Sequence, residues 1–167
     1  MRRFRAMAWE TLSSHQHIIT HGGLLQDVGA GVEAFYDMSA PCTIGNCDAF
    51  WSHSWSDSGS LTMQAVRSWV RTFHNQTARL PSIWLDKVCL DQTSIADDLR
   101  CLPVFLAGCN SILVTSGTTY SSRLWCAFEL FVYFSMAIQD DLRKAPTILI
   151  LGVDALEKSR VRTSLLA

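Results

Sequence analysis

Four short apolar runs, each followed by a stretch with helical spacing, constrain this chain more than any other feature. Residues 48–52, 83–85, 111–115 and 147–151 each read as a strand. After the first come the cap candidates Asp57 and Ser58, then Leu61, Ala65, Val66, Trp69, Val70 and Phe73 at helical spacing. After the second, Ser94, Ile95, Ala96 and Asp97 open a helix carrying Leu99, Leu102, Phe105 and Leu106, which Pro103 should kink or restart. The third run leads to a helix through Glu129 that Ser121 or Ser122 can cap, and the fourth to one opened by Asp154 and Glu157. Continuously apolar strands alternating with helices need cover on both faces, which predicts an α/β fold with an open, doubly wound parallel sheet.

A length of 167 residues, 49% of them hydrophobic, suits one domain with one core. Residues 46–167 carry the pattern; residues 1–45 are a poorly periodic, partly irregular leader with Gly22, Gly23, Gly29 and Gly31 as breakers. Lys and Arg number 14 against 15 Asp and Glu, spread along the chain apart from Arg2, Arg3 and Arg5, which argues against a nucleic-acid surface. The 6 cysteines form no CxxC pair and mostly sit in apolar surroundings, so they read as free thiols of a reducing, cytoplasmic compartment. No His/Cys cluster has metal-ligand spacing, and no apolar run has the length of a membrane span or signal peptide. The basic start leaves a mitochondrial presequence as the alternative.

In doubly wound sheets the site lies at the carboxyl ends of the strands. The polar residues gather there: Ser52, His53, Ser54 and Trp55 after the first strand, Asp86, Lys87 and Asp91 after the second, and Ser116 to Tyr120 after the third, leading into Glu129. Glu129 stands in an otherwise apolar run from Leu124 to Phe134, where an ionised carboxylate is costly unless something pairs with it. Trp125 is one helical turn earlier and shares its face. Structural roles compete with each functional one. Glu129 can be an acid paired with Arg123 or Arg143 or a helix-face residue exposed to solvent, His53 a hydrogen-bonded strand-end histidine, and Asp86 and Asp91 loop-fixing acceptors. Trp51, Trp69 and Trp84 suit the core, and Cys89 and Cys126 suit inert packing better than a Cys-His nucleophile with His53.

Asp48-Ala49-Phe50-Trp51-Ser52-His53 resembles the first-strand signature of TIR (Toll/interleukin-1 receptor) domains, and Trp125-Cys126-Ala127-Phe128-Glu129-Leu130 is similar to the Trp-Cys-x-x-Glu-Leu signature of their third helix. Trp84-Leu85-Asp86-Lys87-Val88-Cys89-Leu90-Asp91-Gln92 resembles the motif Trp-(Ile/Leu)-Asp-x-x-Cys-Ile-Asp-Gln of fungal heterokaryon-incompatibility domains, which are TIR-like themselves. The resemblance spans residues 46–154 and implies a TIR-like, flavodoxin-like open parallel sheet with helices on both faces. The chain ends soon after its fourth helix, whereas full TIR domains add a fifth strand and helix, so a shortened domain or a fragment is expected.

In the enzymatic members the third-helix glutamate supports cleavage of the nicotinamide-ribose bond of NAD+, and the matching residue here is Glu129. The resemblance therefore implies an NAD+ glycohydrolase or cyclase in stress, immune-like or cell-death signalling. NAD+ would be a substrate rather than a cofactor, with Ser52, His53, Trp55, Asp86 and Trp125 around it. The alternative from the same resemblance is a non-enzymatic interaction module. Homotypic self-association is implied for the loop after the second strand, at Lys87, Val88, Leu90 and Asp91. Two departures stand beside this. Many TIR enzymes carry an arginine where this chain has Ser54 and Trp55, and a glycine in the loop that here reads Leu90-Asp91-Gln92-Thr93-Ser94.

Overall fold

The computed structural model describes residues 4–20, 33–91, 100–137 and 145–152. These form a mixed α/β fold around a mostly parallel six-stranded sheet. The strands are β1 (Arg5–Ala8), β2 (Ala40–Pro41), β3 (Ala49–His53), β4 (Ser82–Trp84), β5 (Ile112–Ser116) and β6 (Thr147–Ile150), in the order β2-β1-β4-β3-β5-β6. β4, β3, β5 and β6 run parallel, while β1 pairs antiparallel with both β4 and β2. All five residues of β3 are buried, as expected of a central strand covered on both faces.

Side-chain alternation along the strands divides the core in two. Phe50, Trp84, Ile112 and Val114 pack on one face with Phe105 and Leu106 of the helix Leu102–Gly108 and Cys126, Val132 and Tyr133 of the helix Leu124–Ala137. Trp51, Ile83, Leu85 and Leu113 pack on the other with Met63, Val66 and Val70 of the helix Gly59–Thr77. In chain order the helices are α1 (Trp9–Ser14), α2 (His17–Thr20), α3 (Glu33–Tyr36), α4 (Gly59–Thr77), α5 (Asp86–Cys89), α6 (Leu102–Gly108) and α7 (Leu124–Ala137). Trp51 and Trp84 are core side chains and Trp69 packs against the α4-side core, as their residue type suggested.

Local chemistry sets the ends of these elements. Ser58 is the N-cap of α4, its hydroxyl accepting from the Leu61 amide, and Ala78 closes the helix in a left-handed conformation with φ 56°. Pro103 begins α6 rather than kinking it, because proline in the first turn has no intrahelical amide bond to lose. The helix start at Ser94, the helix opened by Asp154, and the glycines at 22, 23, 29 and 31 lie outside the described residues. No helix among the described residues is long and apolar enough to cross a membrane.

The leader contributes strands to the sheet. β1 lies against β4, Phe4 stacks on Phe105, and Met7, Trp9 and Leu12 are buried. Arg5 reads in the sequence as part of a basic start, yet it is structural: its Nε donates to Ser39 Oγ at 2.8 Å and its guanidinium lies 4.1 Å from the Tyr36 ring centroid. On the neighbouring strands, Asp48 accepts both arms of Arg79, at 2.6 and 2.5 Å, and the Ser82 amide at 2.9 Å. Burial raises the Asp48 carboxyl, but these hydrogen bonds outweigh it and hold the group below its ordinary value.

Gly59 opens α4 where it crosses the end of α2. A Cβ there would stand 2.3 Å from the Ile19 carbonyl oxygen, a backbone atom that has no rotamer to escape through. Gly59→Ala should therefore destabilise the fold by about 1–3 kcal/mol, against a helix-propensity gain of up to about 1 kcal/mol. Chemical denaturation decides between them, and an unchanged or raised midpoint contradicts the close packing of α2 on α4.

Candidate functional site

Three loops meet at the carboxyl ends of β3, β4 and β5. The loop after β3 is tied to the loop after β5 by Asp57, which accepts from the amides of Gly117 and Thr119 at 3.0 and 2.9 Å and from Thr119 Oγ1 at 2.8 Å. Ser54 Oγ lies 2.7 Å from the same Thr119 hydroxyl. The cap candidate Asp57 thus spends its oxygens across the sheet edge. Towards β4, the Trp55 indole donates to Asp86 Oδ2 at 3.2 Å, and Lys87 Nζ sits 4.2 Å from the Trp55 ring centroid.

Glu129 lies at this edge, only 2% exposed. Its Oε2 accepts from Ser52 Oγ at 2.5 Å, and Ser52 Oγ is also 2.7 Å from the Tyr120 hydroxyl. Trp125 stands one turn earlier on α7, half-buried against the same core. Among the described residues the acid is therefore held by a neutral donor, Ser52, and by no arginine. Arg123 is exposed, and Arg143 lies outside the described residues. Burial pushes the Glu129 carboxyl well above its ordinary value, and the charge on Asp86 adds to this, while the Ser52 hydrogen bond and the Trp125 indole only partly oppose them.

That raised value has a stability consequence. In the unfolded chain the carboxyl ionises near 4.5, whereas in the folded protein it holds its proton to higher pH, so stability is lost as pH rises from there to the folded value. The expected slope is about 1.4 kcal/mol per pH unit. Glu129→Gln imitates the neutral acid and removes this slope, so the difference in stability between variant and wild type should widen from about pH 5 to pH 7. Parallel denaturation curves at both pH values exclude a neutral Glu129.

Ser52 and His53, expected together around one ligand, are divided by the strand. Consecutive residues of β3 face opposite sides. Ser52 turns to α7, while the His53 ring lies 5.1 Å from Trp51 and 4.1 Å from Trp55, both on the α4 side. Burial lowers the His53 pKa, only partly opposed by Asp86, and its buried Nε2 has no hydrogen-bond partner among the described residues. Trp55 and Asp86 join His53; Ser52, Trp125 and Glu129 form the second cluster.

The loop after β4 differs from expectation. Val88 and Leu90 are core side chains, because α5 is a single turn that rolls its apolar residues under the sheet edge. Of the four residues assigned to self-association, Lys87 and Asp91 alone are half-exposed, and Gln92 and Thr93 lie outside the described residues. Neither cysteine has the character of a nucleophile. Burial pushes Cys126 up to about 12, where its thiol donates to the His53 carbonyl at 3.4 Å, and burial raises Cys89 further. No group of three or more His, Cys, Asp or Glu among the described residues could hold a metal ion.

Tyr120 belongs to the stretch Ser116 to Tyr120 expected at this edge, with no role of its own assigned from the sequence. Its signal was a tyrosine closing a polar loop at a strand's carboxyl end; its hydroxyl is raised by burial and shares Ser52 with Glu129. The strand order adds a second reason to look here. From β3 the chain passes to β4 on one side and then to β5 on the other, so the order reverses at β3, and ligand crevices of open α/β sheets form at such points. No family model, curated protein or solved structure matches the chain.

Proposed function

We propose that this chain is a TIR-like NAD+ glycohydrolase or cyclase, with Glu129 as its catalytic carboxylate. The observation that carries the reading is the buried Glu129-Ser52-Tyr120 cluster at the point where the strand order reverses. The four parallel strands run second, first, third, fourth across the sheet, which is the start of the flavodoxin-like order and agrees with a TIR-like fold.

Cleaving the nicotinamide-ribose bond develops positive charge on the ribose, and a carboxylate beside it stabilises the transition state more than the ground state. Ser52 holds the acid in place at rest. A cationic nicotinamidium ring lowers the cost of ionising Glu129, whose proton passes to solvent as the ligand enters, and the carboxylate then exchanges Ser52 for the ribose hydroxyls. Trp125 supports the carboxyl from α7, and Trp55, braced by Asp86 and Lys87, offers a ring face for stacking.

A specific observation favours the second reading, an interaction module. α7 exposes Leu124, Phe128, Phe131 and Phe134, an uncharged apolar face. The two readings part on one measurement, incubation of concentrated protein with NAD+ while free nicotinamide is followed. Release above a buffer control supports the enzyme; no release from a confirmed oligomer supports the module.

A further inference from the structure

Away from the Glu129 cluster, the C-terminal half of α4 and the first helix of the leader enclose a groove of about 380 Å³. Its two sides differ in chemistry. Trp9 from α1, Val70 from α4 and Leu80 from the approach to β4 make an apolar floor, and the Trp9 amide donates to the Pro81 carbonyl at 3.1 Å, which holds that approach against α1. Arg67, Arg71 and His74, spaced four and three residues apart, line the groove from α4. Gln16 Oε1 accepts from Arg67 at 2.5 Å and so orients one guanidinium without neutralising it. No acidic side chain lines the groove, and Arg71 has no ion-pair partner among the described residues.

We propose that this groove binds a small amphipathic anion, with an aromatic or branched aliphatic body on Trp9, Val70 and Leu80 and a single carboxylate, phosphate or sulfonate head at Arg67, Arg71 and His74. The volume is that of a small-molecule site, at the lower end of the usual range of roughly 300–1,000 Å³. The chemistry excludes the obvious alternatives. A purely polar anion leaves the floor unused, and a neutral apolar ligand leaves Arg67 with the uncharged Gln16 alone and Arg71 with no anion to meet. Arginine forks match planar oxyanions in geometry as well as charge. This site is separate from the Glu129 cluster, so its test stands whatever the outcome with NAD+.

The full chain is titrated with 1-anilinonaphthalene-8-sulfonate, an apolar body with one sulfonate, and in parallel with its uncharged analogue N-phenyl-1-naphthylamine. The expected result is one saturable site for the sulfonate on the folded protein, with Trp9 fluorescence quenched. Arg67→Gln with Arg71→Gln, two exposed positions whose change leaves the core untouched, should weaken the sulfonate by roughly tenfold or more while the neutral analogue changes little. Asn75→Trp, also exposed and lining the groove, should fill it and remove both probes. Sulfonate binding that never saturates, that ignores both arginine substitutions, or that survives Asn75→Trp overturns the proposal.

Discussion

Glu129→Gln should lower nicotinamide release from NAD+ by about a hundredfold or more, the usual loss when one preorganised electrostatic contact to a transition state is removed. The substitution is nearly isosteric, and its amide oxygen still accepts from Ser52 Oγ. Because burial penalises the ionised form of this acid, glutamine should leave the fold intact and raise its melting temperature at neutral pH. Loss of activity with gain of stability is the combination expected of an acid retained for chemistry. A merely structural Glu129 gives the reverse, a less stable protein with proportionate loss of everything it does. Wild type and variant are compared at matched, high concentration, and equal rates of release remove Glu129 from any catalytic role.

Trp51→Ala should cost about 3–5 kcal/mol, the range for deleting a large aromatic side chain from a packed core. That is a large share of the roughly 5–15 kcal/mol a domain of this size has. Trp51 is 1% exposed, faces Met63, Val66 and Val70 across the α4-side core, and donates from its indole to Thr115 Oγ1 at 3.0 Å. Trp84 provides the contrast. It is equally buried and stacked on Phe50 at 4.2 Å, but its indole nitrogen has no partner among the described residues. Trp51→Phe breaks a buried hydrogen bond as well as shrinking the ring, whereas Trp84→Phe removes a donor that was already unsatisfied. Trp51→Phe should therefore be the more damaging by about 1 kcal/mol. Equal losses by urea denaturation mean that the Trp51-Thr115 bond contributes nothing.

The elements that the sequence revealed are those whose burial follows a local period. Leu61, Val66, Trp69, Val70 and Phe73 predicted α4 because residues three and four apart share a helix face, and the described helix extends that stretch only at its ends. The central strands fell within a residue of expectation because continuous apolar runs of that length suit strands covered twice. β1 was not legible. Arg5, Ala6, Met7 and Ala8 have no β-branched residue among them, and they form a strand because the free edge of β4 supplies hydrogen bonds and Phe105 a packing partner for Phe4.

At the site the same division holds. Sequence alone determined that Glu129 is the acid in an otherwise apolar helix and that the polar loops follow the strands; that it turns inward while Phe128 and Phe131 face outward is tertiary. Its partners are a tertiary matter, because Ser52 is 77 residues away and reaches Glu129 only when β3 lies beside β5 with α7 across them. The alternation of β3 then decides that Ser52 joins Glu129 while His53 turns to the opposite face, and the single turn of α5 decides that Val88 and Leu90 go inward. Local periodicity encodes which residues leave water; which of them then share a proton or a cavity depends on strand order and helix placement, which no short stretch of the chain contains.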